Sequence, residues 1–172
     1  QTVTSTINIG ACGGSTILDL NVALNVTHTW VGDLQIDLIS PAGTEAELWP
    51  RQCTTADDLN FGVDDEAPLC SNLCADYNSG QYLQPIACLG PGFGSTDFMS
   101  KFDGEDPAGT WTLRIRDNAG GDVGTLNSWR LDIAYNAPNG TAPVVFEGCC
   151  MDPDGLTYID SEVLQDCASG NT

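Results

Sequence analysis

The chain carries little positive charge. Its 172 residues include five Lys and Arg against 24 Asp and Glu, a formal net charge of −19. Such a surface repels phosphate backbones, and Arg51, Lys101, Arg114, Arg116 and Arg130 are too scattered to suggest a basic groove. Nucleic-acid binding is therefore set aside. There is one histidine, His28. A Ser-His-Asp triad needs a histidine as general base, and His28 falls at the end of an alternating strand, on the parity of its apolar face. It reads as a structural residue. Zinc is disfavoured by the same scarcity and by the absence of paired CxxC spacings. No apolar run approaches the roughly 18 residues that a membrane helix requires. Long helical periods are missing too, and no internal repeat is found.

What is present suits a folded β protein. Hydrophobic residues make up 41% of the chain, enough for a core at this length. Eight cysteines (Cys12, Cys53, Cys70, Cys74, Cys88, Cys149, Cys150 and Cys167) point to disulfides. They imply a secreted, extracellular or cell-surface location. On the order of a hundred pairings are possible; proximity in sequence favours Cys74–Cys88 and Cys150–Cys167. Gln1 fits the first residue of a mature chain after signal removal. Asn25-Val-Thr27 and Asn139-Gly-Thr141 fit the N-glycosylation pattern.

Period-two alternation predicts strands. Leu18, Leu20, Val22, Leu24 and Val26 share one face, with Asp19, Asn21, Ala23, Asn25 and Thr27 on the other. Leu34, Ile36 and Leu38 alternate with Gln35 and Asp37. Trp111, Leu113 and Ile115 alternate with Thr112, Arg114 and Arg116. Trp129, Leu131, Ile133 and Tyr135 form a fourth run, and Val3, Ile7 and Ile9 a weaker one. Turns at Ser40-Pro-Ala-Gly43, Asp106-Pro-Ala-Gly109 and Asn118-Ala-Gly-Gly121 separate them. The expected fold is all-β, a jelly-roll-like β-sandwich of about eight strands over residues 1–135. Residues 50–98 hold four cysteines and an acidic run. They read as a disulfide-tied insert with at most one short strand. Residues 136–148 read as a linker and 149–172 as a short Cys-containing tail.

Clustered carboxylates suit a hard cation, which takes six to eight oxygen ligands. Bound calcium would also relieve the self-repulsion of so acidic a chain. The candidate ligands are Asp33, Asp57, Asp58, Asp64, Asp65, Glu66, Asp117 and Asp122. The bland reading is solvated acids and Asx turns. In the tail, Asp152-Pro-Asp-Gly155 has its glycine misplaced for an EF-hand and reads as a turn. Asp103 and Glu105 are paired acids of the kind that hydrolyse glycosides, but no aromatic-lined cleft accompanies them. Trp30, Trp111 and Trp129 read as core or sheet-packing residues. Trp49, beside Pro50, is left as the one exposed platform for a sugar.

Four segments carry a resemblance. They are His28-Thr-Trp-Val-Gly-Asp-Leu34 with Ile39-Ser-Pro-Ala-Gly-Thr44, then Phe102-Asp-Gly-Glu-Asp-Pro-Ala-Gly-Thr-Trp-Thr-Leu113, then Asp117, then Gly124-Thr-Leu-Asn-Ser-Trp-Arg-Leu131. In order and spacing they resemble the P domain of proprotein convertases, across roughly residues 15–135. The resemblance implies an eight-stranded jelly roll without catalysis of its own, a domain that in convertases packs on a subtilisin-like protease. With no protease segment in the chain, the leading expectation is a calcium-stabilised extracellular structural module. It would assemble with copies of itself into a filament or surface layer, the N-terminal strand lying in its own sheet or in a neighbour's. The alternatives are an accessory domain of a secreted subtilisin-like protease and an adhesin for surface glycans.

Overall fold

The computed structural model describes residues 1–11, 14–67, 73–84, 98–136 and 144–146. Among these, nine strands form two sheets. They are β1 (Thr2–Ile9), β2 (Thr16–His28), β3 (Leu34–Ile39), β4 (Glu45–Pro50), β5 (Leu59–Val63), β6 (Tyr82–Leu83), β7 (Gly109–Asp117), β8 (Gly124–Asn136) and β9 (Val144–Phe146). One sheet runs β1-β7-β3-β4 and the other β6-β5-β2-β8-β9. The sandwich is the expected class. One helical turn, α1 (Leu73–Asp76), interrupts it. No helix among the described residues is long and apolar enough to cross a membrane.

The alternating residues meet between the sheets. Leu20, Val22, Leu24 and Val26 of β2 face Ile36 and Leu38 of β3 and Leu113 of β7, all buried. The parity of β2 changes near its start. A register shift between Ile17 and Asp19 marks a bulge against β8, so Ile17 is buried and Leu18 points outward. An extra residue in one strand reverses the alternation on its far side. That is why Leu18, expected inside, is outside.

The segment 50–98 contributes more to the sheets than a loop would. β5 pairs with β2 along its length and buries Leu59, Phe61 and Val63. β6 adds a short parallel edge. Beyond β8, β9 pairs with it and falls inside the segment read as a linker. The tail from Cys149, including Asp152-Pro-Asp-Gly155, lies outside the described residues, as do Asn139 and the proposed Cys150–Cys167 pair.

The disulfide reading needs correction. Cys74 is bonded to Cys53, 21 residues away in sequence, so it cannot pair with Cys88. After β5 the chain doubles back, and the backbone N–H of Asn60 donates to the Tyr77 carbonyl while Gly80 donates to Asn60. This return brings α1 beside the start of β5, next to Cys53. Sequence proximity carried no information about it.

The tryptophan reading also changes at both ends. Trp49 is wholly buried, donates from Nε1 to the Val31 carbonyl at 2.9 Å, and packs against Phe61 and Tyr77. It cannot serve as a sugar platform. Trp30 is instead 40% exposed. Trp111 is buried as expected, and Trp129 packs on the core edge while donating across the sandwich to Ser5.

Candidate functional site

The eight candidate ligands do not form one cluster. β5 separates them, because Val26 pairs with Leu59 at one end of the strand and Val22 with Val63 at the other. Asp57 and Asp58 precede β5, whereas Asp64, Asp65 and Glu66 follow it.

The first end gathers round His28. Asp58 sits in left-handed backbone (φ 58) and accepts from the His28 N–H at 2.9 Å. Asp122 accepts from the Thr29 hydroxyl at 2.7 Å. Asp117 accepts from Ala119 N–H in an Asx turn, and the Asp33 carbonyl accepts from Asn118. Asp57 is exposed. Most of these carboxylates are thus engaged in shaping loops.

The glycine before Asp33 has its own reason. A Cβ on Gly32 would lie 2.6 Å from Cα of Thr54 and 3.1 Å from its carbonyl oxygen. The loop after β4 presses its backbone on this turn and cannot yield as a flexible side chain would. Gly32→Ala is therefore expected to cost about 1–3 kcal/mol through overpacking, read as a lower denaturation midpoint with an unchanged m-value.

The second end is electrostatically strained. Asp64 accepts from Glu66 N–H at 2.8 Å. Asp65 uses both oxygens to accept from Met99 and Ser100 N–H, at 2.8 Å each, and so anchors the 3-10 turn Met99–Phe102. Two acids absent from the candidate ligands join them. The Asp19 carboxyl is held above the usual range by partial burial and then by the charge of Asp64. Glu66 is raised by desolvation and by Asp19, Asp65 and Asp64, and Asp103 by desolvation, Asp19 and Asp65. The outward parity of Asp19 was readable in the sequence. Its proximity to Asp64 and Asp103 depends on pairings across the sheet.

These are hard oxygen donors, the chemistry calcium or magnesium uses. Among the described residues, however, no three His, Cys, Asp or Glu side chains converge closely enough to hold an ion. Acid–base catalysis is served no better. Glu105 accepts a short hydrogen bond from the Thr44 hydroxyl, while Asp103 is exposed among the acids of the second end. His28 is buried, and its Nδ1 accepts from Trp30 N–H at 3.1 Å. It serves the turn into β3.

A sequence profile of the proprotein convertase P-domain matches residues 17–81 and 87–133, which takes in strands of both sheets and both acidic ends. The chain belongs to the proprotein convertase P-domain family. Among curated relatives of this P domain, Leupeptin-inactivating enzyme 1 of Streptomyces exfoliatus is 28% identical over 129 residues, 75% of this chain and 22% of that protein. A Calcium-dependent protease of Trichormus variabilis is 24% identical over 136 residues, 76% of this chain and 16% of its own length. The P domain thus spans about a fifth or less of these relatives. Among solved structures, the serine protease of Aeromonas sobria in complex with its chaperone aligns at 21% identity and a TM-score of 0.38, over 76% of this chain and 26% of that one.

Proposed function

We propose that this P domain is a non-catalytic, extracellular accessory module of a secreted protease, and that calcium braces it. The observation that carries the reading is the P-domain match, joined to relatives of which the chain spans a small part, two of them named Calcium-dependent protease. The Cys53–Cys74 disulfide fits an oxidising compartment. The filament reading loses its motive, since β1 pairs with β7 of its own chain over its whole length. The glycan reading loses its platform with Trp49 buried. The test is to delete this domain from the precursor that carries it and follow the secreted protease. A shortened thermal half-life or lost secretion is expected; an unchanged yield and half-life overturn the reading.

For calcium we assign the second end, where binding would draw together Asp19, Asp64, Glu66 and Asp103, which do not converge in this structure. Asp65, already bound to two amides, is the poorest donor. Two relatives are named Calcium-dependent protease. The raised carboxyls of Asp19, Glu66 and Asp103 set a sign. An acid whose folded-state value exceeds its unfolded one favours folding while protonated, and that contribution fades as pH rises through the folded value. At neutral pH the cluster therefore weakens the fold unless a cation neutralises it. Without calcium, Asp19→Asn is expected to raise the melting temperature at neutral pH, with the gain vanishing as pH falls into the carboxylate range. Calcium is expected to raise the melting temperature of the parent chain by mass action and to do so less in Asp19→Asn. An equal calcium response in both proteins rules out this end as the site.

A further inference from the structure

His28 presents an unused hydrogen-bond donor to a pocket. Its Nδ1 accepts from Trp30 N–H, so in the neutral ring the proton resides on Nε2. Among the described residues that nitrogen has no hydrogen-bond partner, although the side chain is only 3% exposed. Asp117 Oδ2 lies 4.0 Å away, too far for a hydrogen bond and near enough for one small polar group beside the pair to bridge both. A buried unpaired donor is costly.

The space before it is a pocket of about 170 Å³, with Asp117 and Asp122 in its wall and Val3, Leu34, Ile115, Val123 and Leu126 around them. It is a cleft sized for one side chain. Val3 and Val123 are two of the large apolar residues that the described surface leaves exposed. Gly124, also in the pocket lining, lies against the imidazole, where a Cβ would sit 2.5 Å from His28 Cδ2. The ring is therefore held in place.

The donor pattern selects the occupant. A metal on Nε2 would push the proton to Nδ1, against the N–H of Trp30. A cation would pair with Asp117 but leave Nε2–H facing positive charge. A carboxylate would accept from Nε2–H but meet Asp117 and Asp122. A carboxamide satisfies both sides, its oxygen accepting from His28 and its NH₂ donating to Asp117. Sugar hydroxyls offer the same pattern, but among the described residues no Trp, Tyr or Phe lines the pocket to stack a pyranose face. We propose that this pocket receives an asparagine or glutamine side chain of a partner polypeptide, with aliphatic neighbours resting on Val3 and Val123. The partner need not be a protease, so the proposal is independent of the reading above.

The test uses the full chain, where His28 is the sole histidine and gives one set of imidazole NMR signals. N-acetyl-glutamine-N-methylamide is titrated in, beside the glutamate and leucine analogues and methyl glucoside. A saturable shift of the His28 Nε2–H and of the Val3 and Val123 methyls is expected with the glutamine probe, in the millimolar range of a single side chain. It should be weaker by about tenfold or more with the glutamate analogue, a difference of about 1.4 kcal/mol. Asp117→Ala should abolish saturation. Because that change could disturb the loop, Val123→Asp at the exposed mouth provides a second variant, expected to fold normally and bind less. An unresponsive His28, equal shifts from both analogues, or saturation by methyl glucoside alone would overturn the proposal; the first outcome leaves a bridging water as the occupant.

Discussion

Trp49→Ala is expected to destabilise the domain by about 3–5 kcal/mol, a large part of the stability of a chain this size. Trp49 lies on β4 of one sheet, and its ring packs against Phe61 on β5 of the other, with centroids 5.6 Å apart, and against Tyr77 at 6.1 Å. Truncation would open a cavity between the sheets and strip the Val31 carbonyl of its indole partner. The Val31–Asp33 turn would lose its support as well, because Val31 N–H also depends on the neighbouring loop, donating to the Ala56 carbonyl. Trp49→Phe separates the two contributions. It keeps most of the volume and loses the N–H, so the expected cost falls to about 1–3 kcal/mol. Urea denaturation of both variants measures this. A Trp49→Ala chain as stable as the parent would mean that the ring does not bridge the sheets.

Asp37→Ala is expected to cost about 3 kcal/mol, the lower end of the range for breaking a buried ion pair. Asp37 is directly opposite Arg114 in the β3–β7 register. Its Oδ2 accepts from Arg114 at 3.2 Å and from Arg116 at 2.6 Å. The carboxylate is 7% exposed, whereas the two guanidinium side chains are 22% and 35% exposed. Water can partly solvate the arginines once the acid is gone, which holds the loss near the lower end. Arg114 keeps Glu45 as a second partner, while Arg116 Nε is already buried without a hydrogen-bond partner among the described residues. Arg116 should therefore suffer more. A double-mutant cycle on Asp37 and Arg116 should return a larger coupling than one on Asp37 and Glu45, a pair with no direct contact. Equal and near-zero couplings would show that the acid merely fills space.

Both residues show where one-dimensional reading stops. Asp37 alternates outward between Ile36 and Leu38, and the pattern correctly put it on the far face from the core. It could not reveal that two arginines 77 and 79 residues away would cover that face. Trp49 next to a proline read as an exposed platform because its strand is short and its partners, Phe61 and Tyr77, belong to a segment with little alternation.

The same distinction governs the candidate site. That most of the candidate ligands lie in loops and turns followed from their positions between apolar runs. Which of them share a location did not. Asp64 and Asp58 are six residues apart yet occupy opposite ends of β5, while Asp64 is close enough to Asp19, 45 residues away in sequence, to help raise the Asp19 carboxyl. Register carries that information, and antiparallel pairing joins residues far apart in the chain.

By itself the sequence determined the class of fold, the faces of most strands and the family, because alternation and turn chemistry are local and survive without knowledge of partners. The tertiary structure alone decided the bulge that turns Leu18 outward, the Cys53–Cys74 bond, the burial of Trp49, and the division of the acids into two ends. Each of these depends on which strand lies beside which, and in a sandwich built from long-range pairs that choice is made by the packing of the whole core.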